Sequence, residues 1–380
     1  MRREKTQVRA RRATFMSSPR TLSESAGRMP LVDALRALAA TLIVCHHFAL
    51  YWPTPDGEAP QAADLSGWLW NLRWAVQVFF VIGGYLMAMS LSGRASGSQP
   101  LRLVVLRRYC RLMLPYMAAI GVALLACHWG RDWLPEEVVG EPPRAMQVVA
   151  HLFLLHDILG YESLAAGVWF LCIDFQLALL YIAMVYVARA VARWRGLDLA
   201  RPETERFSTD LSLGLGWTLA VASVFYFNLD PNWDPWAMYF FAHFFTGVMV
   251  YHALAQPRYR TALAVYFWML AAGLAYDWRG HLAISLVTGS VLYLAGRAGW
   301  LERWPDHPLV RFQARTSYSL FLLHFPVLIV IAAVWERYDW DWRGSTALAL
   351  VLAYLASVLA AAAFYRTVEV PAARLARRFG

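Results

Sequence analysis

Residues 31–51 read LVDALRALAATLIVCHHFALY. As a helix this run is long and apolar enough to cross a bilayer, which takes about 20 residues. Yet it carries Asp33, Arg36, His46 and His47. Ionisable side chains at membrane depth are costly, so they face the bundle interior or a wet cavity. At about 100° per residue, Arg36 and His47 fall within about 20° of one face, roughly 16 Å apart along the axis. Asp33 lies near that face, and His46 points about 100° away from His47. One stripe therefore carries an acid–base pair at one end and an imidazole at the other. Asp33 and Arg36, at i,i+3, have the spacing of a structural lock. The imidazole can act as a general base towards a hydroxyl, or can simply pack against a neighbouring carbonyl.

The rest of the chain repeats the pattern. Of 380 residues, 59% are hydrophobic and only 16% charged, against about 25% charged in a soluble domain. That excludes disorder and leaves a polytopic helical membrane protein as the expected class. Apolar windows of spanning length recur at 31–52, 74–92, 110–129, 167–190, 211–229, 236–255, 261–277, 280–297, 318–335 and 345–366. The turn between 261–277 and 280–297 is very tight, and 146–158 is too short to cross, as in an interfacial or re-entrant helix. The fold expected is an all-α bundle of about ten transmembrane helices.

Charge placement orients it. The net charge is +9, from 35 Lys+Arg and 26 Asp+Glu. In a soluble protein such a balance would suggest nucleic acid; here no nucleic-acid partner is expected, because the arginines sort by loop. The segments 1–30, 93–110, 191–210, 256–260, 298–317 and the C-terminal tail are arginine-rich, and the alternate loops are mostly acidic. The positive-inside rule then places both termini in the cytoplasm. The first apolar run lacks a small-residue cleavage site, so it reads as a retained helix rather than a signal peptide.

Several chemistries lack support. Cys45, Cys110, Cys127 and Cys172 form no CxxC pair and read as packing residues. His151 and His156 lack a third ligand at metal-site spacing, so no metal is expected. There is no phosphate-loop, dinucleotide or zinc-peptidase motif. Buried ionisable groups also suit proton-coupled transport, which makes a transporter or exporter without acyl-transfer chemistry the competing class. No internal repeat of the kind many transporters carry is evident.

Six landmarks run in order along the chain. They are Asp33, Arg36 and His47 (D-x-x-R-x10-H); Phe79-Phe80-Val81-Ile82-Gly83-Gly84-Tyr85; Arg108 and Arg111 ahead of Pro115; Trp169 with Asp174; Ser317-Tyr318-Ser319-Leu320-Phe321-Leu322-Leu323-His324; and Glu369 with Pro371. In this the sequence resembles the family 3 membrane-bound acyltransferases, which include O-antigen and other cell-envelope acetylases. Two positions depart from the family pattern: Gly83 stands where a serine is usual, and Asp174 where a glutamate is usual.

The resemblance implies transfer of an acyl group, acetyl being the expected one, from cytoplasmic acyl-CoA to a hydroxyl of a cell-envelope carbohydrate or lipid-linked glycan. It implies residence in the bacterial inner membrane, among lipid. His47, Asp33, Arg36 and Asp174 are the expected catalytic set. His47 either deprotonates the acceptor or transiently carries the acyl group. Arg108, Arg111, Arg36 and His324 are expected at the donor, since guanidinium forks bind phosphates bidentately. For His324, placed near the cytoplasmic start of its helix, a core hydrogen bond to a neighbouring helix is an equal alternative. Glu369 reads as structural. A basic cytoplasmic tail is expected over 1–30, the acyltransferase domain over 31–371 and a short basic tail over 372–380. Tryptophans crowd the expected outer face, and Trp68, Trp70, Trp340 and Trp342 suggest a stacking platform for a sugar. The acyl chain, the acceptor atom (oxygen or nitrogen) and the oligomeric state stay open.

Overall fold

A computed structural model describes residues 28–53, 71–92, 99–340 and 345–379. Residues 1–27 and Trp68, Trp70 and Trp342 lie outside the described residues. The described chain is helical, with no strand among it. The main helices are α1 (Pro30–Tyr51), α2 (Val76–Leu91), α3 (Leu101–Gly130), α4 (Ala145–Leu152), α5 (Trp169–Trp194), α6 (Pro202–Phe225), α7 (Ala237–Ala255), α8 (Arg260–Tyr276), α9 (Gly280–Ala298), α10 (Pro308–Arg337), α11 (Ser345–Phe364) and α12 (Val370–Ala376).

Local signals set several boundaries. Prolines open α1, α6 and α10 (Pro30, Pro202, Pro308), where the missing N–H has no helical partner to lose. His307 caps α10 by accepting from the Leu309 N–H at 3.3 Å. Gly299 closes α9 at φ 72°, a left-handed conformation that glycine adopts freely.

Every one of the ten expected spans is helical. Among the described residues, eight helices are long and apolar enough to cross a membrane. The two that fall short are α8 and α9. With 17 residues, α8 extends about 25 Å against a hydrocarbon core of about 30 Å. In α9 the apolar run is diluted by His281, Ser285, Thr288, Gly289 and Ser290.

Burial ranks the helices. In α7, 78% of the apolar window is buried, against 28% for the span that includes α11, so α7 is central and α11 peripheral. The tightest crossing is α7 on α2. A Cβ added at Gly84 would collide with the Phe244 carbonyl oxygen, and one at Gly247 with the Val81 carbonyl oxygen. Small residues let helix backbones touch where lipid offers no hydrophobic drive for association. At the C-terminus, a π-turn over Tyr365–Glu369 precedes α12, whose Ala372 and Ala376 are buried.

Candidate active site

The run Ser317–Ser319 connects three elements at once. Arg36 of α1 donates to Ser317 Oγ at 3.3 Å. Tyr318 donates to the Leu112 carbonyl of α3 at 2.8 Å, and Ser319 to Glu369 Oε2 of the π-turn at 2.5 Å. Successive residues of a helix point about 100° apart, so three neighbours can reach three partners. Further along α10, His324 reaches His47: its Nε2 lies 2.7 Å from His47 Nδ1, and the rings stack with centroids 4.9 Å apart. Both side chains are buried.

This network assigns the tautomers. His324 Nδ1 lies 2.7 Å from the Phe321 carbonyl oxygen. A carbonyl only accepts, so Nδ1 carries the proton, and in the neutral ring Nε2 is then an acceptor. His47 Nδ1 must donate to it, which leaves His47 Nε2 as the nitrogen with a free lone pair. His324 thus makes the hydrogen bond to a neighbouring helix that was one of its two expected roles, sixteen residues past Pro308. It stands deeper in its helix than the sequence suggested, because the apolar run begins at Tyr318 whereas the helix extends ten residues further towards the N-terminus.

His47 lines a cavity of about 1160 Å³. Its walls include Tyr51, Trp169, Phe170, Phe321 and Phe325, and its polar lining includes Arg73, His128, Arg131 and Glu141. Gly167, at φ 76°, closes the wall beside the imidazole: a Cβ there would stand 2.6 Å from His47 Cε1. Tyr51 and Gly167 were not singled out from sequence; Tyr51 stands one helical turn beyond His47 on α1, whereas only the chain path brings Gly167 there. Trp340, the described member of the expected stacking platform, packs on Trp335 and Tyr338 and is not among the cavity's lining residues.

A second cluster gathers near Arg36, which is about 16 Å from His47 along α1. Arg108 of α3 pairs with Asp174 of α5 at 2.7 Å, with side-chain exposures of 26% and 13%. The two departures from the family pattern meet here, since a Cβ at Gly83 would stand 3.5 Å from Asp174 Oδ1. Arg36 feels the charges of Asp33, Arg111 and Glu369. Arg111 is exposed.

Asp33 differs from expectation. It pairs with Arg28 at 2.7 Å, and Arg28 reaches on to Asp306 at 2.9 Å, itself paired with Arg311. The Asp33–Arg36 lock is replaced because Arg28, just before α1, presents its fork to the carboxylate while Arg36 turns inward to Ser317. Asp33 therefore anchors the start of α1 to the turn before α10 and stands apart from His47.

The segment between α3 and α5 folds inward. Tyr109 donates to the Leu152 carbonyl at 2.7 Å, and His151 stacks on Tyr116. His151 uses both nitrogens: Nδ1 donates to the Gln147 carbonyl at 2.8 Å and Nε2 accepts from the Leu164 N–H at 3.1 Å. His156 instead meets Asp157 and Cys172, two side chains of metal-ligating type that sequence spacing did not connect to it.

Comparison with known proteins adds an independent line. The family model described as "acyltransferase domain" matches residues 30–366. A peptidoglycan O-acetyltransferase, OatA, of Listeria monocytogenes is 21% identical, the alignment covering 93% of this chain and 57% of the relative. The chain thus spans just over half the length of that relative. No solved structure matches.

Proposed function

The chain belongs to the family 3 acyltransferases and is a membrane acyltransferase, and on that premise we propose that it moves an acyl group, acetyl by expectation, from acyl-CoA to a hydroxyl of a cell-envelope carbohydrate. The observation that carries this reading is the oriented His47–His324 pair beside a cavity large enough for a sugar. The curated relative's name gives the acceptor class, a glycan of the cell wall, and O-acylation as the chemistry.

In this reading the acceptor enters the cavity and its hydroxyl gives its proton to His47 Nε2. The oxygen attacks the thioester carbonyl, the C–S bond breaks, and the departing CoA sulfur takes the proton back from Nε2. His324 holds the His47 ring and its tautomer through the bond to Nδ1, and a positioned base of this kind contributes about 10²–10⁴-fold. Aromatic walls from Tyr51, Trp169 and Phe170 offer apolar faces to a sugar ring.

Arg36, Arg108 and Arg111 hold the CoA phosphates, because guanidinium forks suit phosphate oxygens and Arg111 is exposed to an incoming donor. Asp174 holds Arg108 in place and acts through it. Charge sorting favours the cytoplasmic side for this cluster and both termini, and the resemblance implies a bacterial inner membrane. The donor then approaches from the cytoplasm and the acceptor from the opposite face.

The test is release of free CoA by purified protein supplied with acetyl-CoA and a glycan fragment. His47→Ala, expressed in membranes at normal level, is expected to abolish it. Undiminished acylation in that variant would overturn the reading.

A further inference from the structure

The turn 153–168, which carries Gly167 to the His47 ring, is held to α5 by an unusual group. His156 is fully buried, Cys172 is 1% exposed and Tyr116 is fully buried above them. Cys172 Sγ lies 3.4 Å from His156 Nδ1 and 3.8 Å from Nε2, and Nε2 lies 3.6 Å from Asp157 Oδ1 and 3.3 Å from Ser163 Oγ. Two atoms of the cluster are buried without a hydrogen-bond partner, Asp157 Oδ2 and Tyr116 Oη. Tyr116 is close enough to Cys172 and Asp157 to feel their charge. Unpaired buried polar atoms are rare and call for a ligand, water or ion.

We propose that His156, Asp157 and Cys172 bind one divalent cation of the zinc class, which staples the 145–168 segment to the first turn of α5. Three observations favour this. The donors are an imidazole, a thiol and a carboxylate, a mixture that selects zinc over hard cations such as magnesium or calcium. The donor atoms of His156, Asp157 and Cys172 lie within 4.8 Å of one another, so small side-chain rotations bring them to zinc bonds of about 2.0–2.3 Å. The bound set is neutral: two positive charges meet one thiolate and one carboxylate, which suits a low-dielectric interior. Binding deprotonates Cys172, and the proton leaves to solvent. Ser163 Oγ or a water completes the fourth position. His151 plays no part in coordination, because both of its nitrogens are engaged elsewhere.

The staple closes a loop that contains Gly167 and leads directly into Trp169, both of which line the cavity at His47. It thereby fixes the cavity wall without touching the reacting atoms, and it can be tested without any assay of acyl transfer.

The test is elemental analysis of the full-length protein purified in detergent without chelator. One zinc per chain is expected, lost in Cys172→Ser and in His156→Ala and weakened in Asp157→Asn. Protein loaded with Co²⁺ should show a thiolate-to-cobalt absorption band that Cys172→Ser lacks, and chelator should lower the melting temperature of the parent protein but not of Cys172→Ser. Absence of zinc from the parent protein even after incubation with buffered Zn²⁺ would overturn the proposal. So would zinc retained equally by Cys172→Ser and His156→Ala. If the variants fail to fold, the cobalt spectrum of the parent protein decides alone, and the absence of a thiolate band counts against the site.

Discussion

His47 Nδ1 and His324 Nε2 are 2.7 Å apart, and the Phe321 carbonyl accepts the other His324 proton. One backbone oxygen thereby sets the protonation pattern of two imidazoles. The nitrogen left with a free lone pair, His47 Nε2, is two hydrogen bonds removed from the group that orients it. Removing His47 should lower turnover by about 10²–10⁴-fold. His324→Ala should cost less, because His47 keeps its base but loses its orientation. CoA release measured for both variants checks the order; an equal loss in both would mean that His324 takes part directly.

If His47 Nε2 acts as a base and not as a nucleophile, no acyl group accumulates on the protein. Incubation with radiolabelled acetyl-CoA, without acceptor, should leave the purified chain unlabelled. A label that maps to His47 would replace the single-step scheme with a two-step one.

The Arg108–Asp174 pair is partly buried, so losing one partner leaves a desolvated charge alone. Asp174→Asn and Arg108→Gln should each destabilise by about 1–3 kcal/mol and raise the donor KM more than they lower kcat. The double variant should cost less than the sum, the signature of direct coupling. Gly83→Ser would place a hydroxyl beside Asp174 Oδ1 and compete with Arg108 for it, so its donor KM should also rise. Melting in detergent and initial-rate kinetics measure both effects.

Gly84 and Gly247 mark the place where α2 and α7 touch backbone to backbone. Alanine at either should destabilise by about 1–3 kcal/mol or more, because rigid helices cannot part locally. Gly121 and Gly214 sit in helices with open space around them, so alanine there should be neutral or stabilising by up to about 1 kcal/mol. A thermal-shift series over the four variants separates close packing from helix propensity.

Gly167→Ala tests the cavity wall. The added Cβ meets the His47 ring and the backbone is left-handed there. Turnover should fall further than the loss of stability alone explains, since the methyl group displaces the base. Equal losses in kcat and folded fraction would assign Gly167 a purely structural role.

The sequence by itself determined the class of fold and singled out the imidazole proposed to react. A hydrophobic period and a sorting of arginines are local properties, written in consecutive residues. The bilayer imposes a length and a charge rule that most segments satisfy alone. Asp33, Arg36, His46 and His47 stood out because each is costly where it is, whatever its partner. Partners were another matter. Asp33 has the right spacing for Arg36 yet takes Arg28; His324, 277 residues away, supplies the hydrogen bond to His47; Gly83 and Asp174 face one another from separate helices. His156 and Cys172 come into contact because the chain turns inward after α3. Such pairings depend on how helices rotate and cross, and that is set by close packing of many side chains at once. No single segment carries that information, so the residues were legible in the sequence and their geometry was decided only by the tertiary structure.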